Sequence, residues 1–214
     1  AICSGDLTIA SISSILLRQI FHLHTADLVP YVTRLCEEFL SPNGLLVNKE
    51  AIIIAFEELC NKPVPKHERA IEIFMLIRDA VWKVTEIISQ MSLEMAVNVC
   101  NVLVSLIKAA PTVIEETNQI FDFVVTQMMA TKHPKIISVM MNLLLELQKH
   151  YSSPSLSANI YKLVIGGYEH IQNVQLVEGN EDTQLFFSFV GFWLVISDYE
   201  IKIEERNRSL KRYR

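Results

Sequence analysis

In residues 92–109 the polar residues after Ser92 are Glu94, Asn98, Asn101, Ser105 and Lys108, at steps of four, three, four and three. Every position between them is Leu, Met, Ala, Val, Cys or Ile. Steps of three and four place these residues on one side of a helix. A helix on an ordinary globule has an apolar stripe a little over ~100° wide and a broad polar face. Here the proportion is inverted, with one narrow polar strip and apolar flanks on both sides. Residues 134–150 repeat the pattern with Lys135, Ser138, Asn142, Glu146 and Lys149, and residues 6–22 with Thr8, Ser11, Ser14, Arg18 and His22. Such helices touch neighbours on several sides and show one strip to water.

Prolines and capping residues divide the chain. Pro42, Pro63, Pro65, Pro111, Pro134 and Pro154 lie between apolar-periodic segments, and Ser92 and Asn180 stand ahead of apolar runs. The pattern predicts helices at 6–22, 25–40, 46–60, 67–90, 92–109, 113–130, 134–150, 155–172 and 181–199, with no strand. Ile52-Ile53-Ile54 has strand-like composition, but Glu50, Glu57 and Glu58 around it keep a helical period. Pro30 falls inside 25–40 and should kink that helix or sit in its first turn. Each pair of helices with its turns takes ~40–47 residues, the period of HEAT and armadillo arrays. The acid-rich stripes of 67–90 (Glu68, Glu72, Asp79, Lys83, Glu86) and 113–130 (Glu115, Gln119, Asp122, Thr126) assign these two to one layer. Helices 92–109 and 134–150 go to the other.

Charge and cysteine usage narrow the class. The formal charge is −5; residues 1–201 alone carry 13 basic and 22 acidic side chains, net −9. That is not the footprint of a nucleic-acid binder. Residues 202–214 hold six basic and two acidic side chains and read as a solvated tail or helix end. Cys3, Cys36, Cys60 and Cys100 show no CxxC spacing, as expected of reduced thiols in a cytosolic or nuclear protein. The uncharged run 183–197 is too short for the ~20 residues that span hydrocarbon, so no membrane segment is expected. The Ala-Ile-Cys start, without Met or a basic stretch before an apolar run, reads as a piece of something longer without a signal peptide.

Catalytic patterns are missing from the sequence. There is no GxxxxGK[ST], GxGxxG or nucleophile elbow. His22 and His24 form an HxH, but on a helix the two rings point about 200° apart, and no cysteine or carboxylate pattern completes a metal site. Gly166-Gly167 suits a kink or a close helix contact. Glu37-Glu38, Glu57-Glu58 and Glu115-Glu116 are adjacent rather than convergent and read as solvated faces. Met128-Met129 and Met140-Met141 suit either adaptable core or a soft partner surface. No enzyme, cofactor or metal is expected.

Two phrases carry a family resemblance. Thr131-Lys-His-Pro-Lys-Ile-Ile-Ser-Val-Met-Met-Asn-Leu-Leu-Leu-Glu-Leu resembles the link between the two helices of a HEAT repeat. Phe189-Val-Gly-Phe-Trp-Leu-Val-Ile-Ser-Asp-Tyr-Glu resembles a phrase of importin-β-type karyopherins, with Phe192, Trp193, Ser197, Asp198 and Glu200 carrying the match. The resemblance implies an all-α, right-handed HEAT-type α-solenoid of antiparallel helix pairs, with four to five repeats in 1–201. It implies a nuclear transport receptor (importin or exportin) that shuttles between nucleus and cytoplasm. Its partners would be a protein cargo, Ran-GTP and Phe-Gly nucleoporins. The strip expected to face a partner is Glu94, Asn98, Asn101, Ser105, Lys108, Lys135, Asn142 and Glu146, with solvation as the plain alternative for each. Two alternatives remain: a HEAT or armadillo scaffold of a phosphatase, chromosome or coat complex, and a helical-repeat scaffold in RNA processing or translation.

Overall fold

A computed structural model of the chain describes residues 2–3, 6–61, 64–85, 91–114, 117–130, 134–150, 158, 160–161 and 177–212. Among these residues the regular elements are all helical. They are α1 (Leu7–Leu23), α2 (Thr25–Leu40), α3 (Leu46–Cys60), α4 (Glu68–Thr85), α5 (Leu93–Ala109), a 3-10 turn at Pro111–Val113, α6 (Thr117–Ala130), α7 (Pro134–His150) and α8 (Glu181–Arg212). They fall into two compact units, Ala1–Thr117 and Asn118–Arg214.

In the first unit alternate helices pack side by side. α1 lies on α3 and α3 on α5, while α2 lies on α4, so the helices form two rows. Lighter contacts join α1 to α2, α2 to α3 and α4 to α5. Helix α3 takes neighbours on several sides and accordingly buries Ala51, Ile52, Ile53, Ala55, Phe56, Leu59 and Cys60 around much of its circumference. The Ile52-Ile53-Ile54 run is helical. Between the rows, Phe21 of α1 meets Phe74 of α4 edge-on at 5.8 Å, and Phe39 of α2 meets Phe56 of α3 at 5.6 Å. All four rings are fully buried. Edge-to-face aromatic pairs add about 0.5–1.5 kcal/mol beyond area burial.

Local chemistry sets the helix ends. Asp6 Oδ1 accepts from the amides of Thr8 and Ile9 at the start of α1, and Ser92 Oγ accepts from the Met95 amide at the start of α5. Each satisfies donors that the first turn leaves open. The Thr25 hydroxyl donates to the Phe21 carbonyl at 2.6 Å, tying the end of α1 to the first turn of α2. Pro30 sits inside a continuous α2, past its first turn, on the exposed side. Pro134 opens α7, where its missing N–H costs nothing.

Several boundaries differ from expectation. In the segment expected at 113–130, Val113 ends a 3-10 turn that begins at Pro111, Ile114 is extended, 115–116 lie outside the described residues, and α6 covers Thr117–Ala130. Arg78 Nη1 of α4 donates to the Val113 carbonyl at 2.6 Å and holds this turn against the first unit. Helix 181–199 runs on through Arg212, so the basic stretch is helical to that point. Ion pairs Asp198–Lys202 and Glu204–Arg208, four residues apart, support that exposed extension by a few tenths of a kcal/mol each. Residues 86–90, and 155–172 except helical 158, 160 and 161, lie outside the described residues. So do Gly166-Gly167, Pro63 and Pro154.

In the second unit α7 packs on α8. Gly179, the one residue with left-handed φ among the described residues (+80°), turns the chain into α8. The Val177 amide closes this turn on Thr183 Oγ1 at 2.9 Å.

Replacing Phe74 by Ala removes a ring held between the rows. The expected cost is about 3–5 kcal/mol, read from guanidinium unfolding, and Phe74→Leu should cost clearly less.

Candidate functional site

The most regular polar feature of the first unit is the outer strip of the α1–α3–α5 row. On α5, Glu94 and Lys108 are exposed and Asn98, Asn101 and Ser105 half-buried, while the flanking Met95, Ala96, Val99, Cys100, Val102, Leu103, Leu106 and Ile107 are buried. The strip is as narrow as its spacing indicates, because two apolar flanks are consumed by packing. On α3 the half-buried strip is Glu50, Ile54, Glu57, Glu58 and Asn61. Arg18 of α1 reaches Glu58 Oε2 at 3.4 Å, joining the α1 and α3 strips. Glu57 and Glu58 thus belong to the row's outer surface. Their adjacency in sequence hid this, because membership of the row depends on which helices stack.

The α1 strip differs from expectation. Ser14 is wholly buried, with its hydroxyl donating to the Ala10 carbonyl at 2.8 Å, while Arg18 and His22 are half-buried. A serine that satisfies itself on its own backbone is small enough to sit under a neighbouring helix. Solvent instead meets Ile9, Ile12, Leu16, Ile20 and Leu23.

The α7 strip lies in the second unit. Lys135, Ser138 and Asn142 are exposed, but Glu146 is buried at 8 % exposure. Its carboxylate accepts from Lys149 Nζ at 2.7 Å, with His150 Nε2 at 3.8 Å. Glu146 therefore pairs with Lys149 in the last turn of its own helix. The strip closes after Asn142. Met140 and Met141 are also buried, which places that pair in the core; the side chains of Met128 and Met129 lie outside the described residues.

Of the residues in the karyopherin-like phrase, Phe192 is buried, Trp193 half-buried, and Ser197, Asp198 and Glu200 exposed. His22, His24 and Asp27 at the α1–α2 turn meet Pro65, Lys66 and His67 ahead of α4 around a cavity of about 330 Å³. The approach of His67 to the other two histidines has no signal in sequence. No group of three or more His, Cys, Asp or Glu able to hold a metal exists among the described residues. No helix among them is long and apolar enough to cross a membrane.

Titration follows burial. All four cysteines are free; Cys36, Cys60 and Cys100 are buried and Cys3 exposed. Burial pushes the Cys36 thiol up to about 12, with Asp79 and Glu37 adding to it. Burial alone takes Cys100 to about 12, and burial with Glu57 raises Cys60 further. Such thiols are packing groups rather than nucleophiles. Cys3 is also raised, by partial burial and then Glu38. Burial, followed by Glu58, lifts the Glu57 carboxyl above its ordinary 4.5.

The chain matches no family model, no curated protein and no solved structure in the three comparisons made.

Two outcomes follow from these environments. Ellman's reagent at pH 8 should titrate one thiol of the native protein, slowly, and all four after guanidinium unfolding; fast reaction of a second native thiol would contradict the packing. The folded protein holds the Glu57 proton more tightly than the unfolded chain, so this group's contribution to stability falls as pH rises from about 4 through its raised pKa. Glu57→Gln should therefore melt slightly above wild type at pH 7, and the gap should close as pH drops towards 4.

Proposed function

We propose that the chain is a segment of a right-handed HEAT-type solenoid that binds proteins, and that it belongs to a nuclear transport receptor. The observation that carries the binding reading is the stacked row α1–α3–α5 with its single polar strip. Helices α3 and α5 spend their apolar flanks on packing and offer water one narrow, mostly polar line, which Arg18 and His22 of α1 continue. Repeated side by side, such lines make an extended surface, suited to a protein partner rather than a small substrate. Glu50, Glu57 and Glu58 make the α3 part of this surface acidic, which favours a basic cargo segment against Asn98, Asn101 and the α3 carboxylates.

The transport reading rests on the Phe192-Trp193 phrase of α8 with Asp198 and Glu200, and on the net acidity of residues 1–201. In this reading cargo lies along the inner row, and Ran-GTP acts elsewhere on the arch by changing its curvature. Phe-Gly nucleoporins dock on the outer side, and the receptor shuttles between nucleus and cytoplasm. It assigns no catalytic step and no cofactor.

A pull-down of the full-length protein on immobilised Ran tests this, comparing a non-hydrolysable GTP analogue with GDP. Strong preference for the GTP form is expected. Equal or absent binding by protein that is helical by circular dichroism would end the transport reading and leave a general helical-repeat scaffold.

A further inference from the structure

Three of the chain's six histidines line one cavity. His22 lies in the last turn of α1, His24 stands between α1 and α2, and His67 comes just ahead of α4. Lys66 joins them, and the space between the two turns measures about 330 Å³. Among the described residues, Asp27 in the first turn of α2 is the one acidic side chain on its wall. His24, Asp27, Lys66 and His67 are exposed and His22 half-buried, so all five meet solvent. Residues 1–201 are acidic as a whole, and this gathering of basic side chains runs against that trend.

The spacing of these groups says what fits. No group of three or more His, Cys, Asp or Glu among the described residues can hold a metal, so the three rings do not converge on one ion. A phosphoryl group is larger, carries a charge of about −1.5 to −2, and offers three acceptor oxygens that each take their own donor. The Arg69 amide donates to His67 Nδ1 at 3.1 Å, so the proton of the neutral ring sits on Nε2, a donor. Lys66 supplies a full positive charge. His24 Nδ1 lies 3.8 Å from Asp27 Oδ2, so a protonated His24 offsets the one carboxylate on the wall. Thr25, Ala26 and Asp27 bring the start of α2 to the cavity, and no side chain caps it. An uncapped first turn adds partial positive charge. Leu23 and Pro65, on the same wall, offer apolar contact to whatever carries the phosphoryl group.

We propose that this cavity binds a phosphoryl dianion through Lys66, His67, His22 and His24. Free phosphate and a phosphorylated side chain of a protein share this chemistry, and the apolar part of the wall favours the second. The proposal does not depend on the transport reading.

The test is a titration of the chain with inorganic phosphate and, separately, with N-acetyl-O-phosphoserine N-methylamide. Imidazole NMR signals are followed at pH 7.5, with chloride holding the ionic strength constant. The signals of His22, His24 and His67 should shift and saturate in the millimolar range. Lys66→Ala and His67→Ala, both at exposed positions, should each weaken binding about three- to fivefold with unchanged circular dichroism spectra, and Asp27→Asn should strengthen it. Tighter binding of the phosphoserine derivative assigns the ligand to a protein, and tighter binding of phosphate to the free ion; either supports the site. Sulfate, doubly charged from pH 8 to pH 6, should bind more tightly at pH 6, because imidazoles gain protons over that range. Signals that do not saturate by about 50 mM anion, well past the millimolar range, would overturn the proposal. So would shifts that chloride alone reproduces, folded Lys66→Ala and His67→Ala chains that bind as wild type does, or sulfate binding that fails to tighten toward pH 6.

Discussion

The apolar seam between the two helix rows of the first unit is the constraint on which the rest of that unit depends. Phe21 against Phe74 and Phe39 against Phe56 bind α1 to α4 and α2 to α3, so neither row can slide without opening a ring-sized gap. Helix α3 lies at its centre, touched by α1, α2 and α5. Burying a large apolar side chain contributes about 1.5–3 kcal/mol against exposure, and α3 buries Ile52, Ile53, Phe56 and Leu59 at once. Even the thiols serve this seam. Cys60 and Cys100 are buried in α3 and α5, and Cys36 Sγ donates to the Leu76 carbonyl at 3.6 Å, joining α2 to α4 within the other row.

Spending apolar flanks on packing leaves little for chemistry. Polar groups are confined to one strip per helix, where they are spread along an axis rather than gathered around a point. Titratable groups that do become buried, such as the three inner cysteines and Glu57, are driven toward their neutral forms by desolvation. Glu146, also buried, is paired with Lys149 on its own helix. The same economy sets the character of the surface. A stack of strips can recognise something long, and α1 exposes an apolar flank of the kind that α3 buries.

Much of this was legible in the sequence. Three-four spacing found α1, α2, α3, α5 and α7, and the start of α4, to within a residue or so, because helix periodicity is a property of the chain segment itself. Ser92 and Pro134 marked helix starts for local reasons, one as an acceptor for a free amide and the other as a residue with no amide to satisfy. The narrow strip of α5 was likewise visible, since almost everything between its polar residues is apolar. Where local signals were mixed the reading slipped. Pro111 tightened the chain into a 3-10 turn where a helix was expected to begin at 113, while ion pairs carried α8 past the last apolar turn to Arg212.

The sequence by itself determined that the protein is helical, where most helices lie, and that their polar faces are narrow. Those facts depend on residues within four positions of one another. Tertiary structure alone decided which helices stand side by side, and hence that Arg18 meets Glu58, that His67 joins His22 and His24, and that Ser14 is buried. It also decided that Glu146 turns inward and that one flank of α1 stays open. Each depends on partners tens of residues away, and an apolar flank carries no label saying which other flank it will meet.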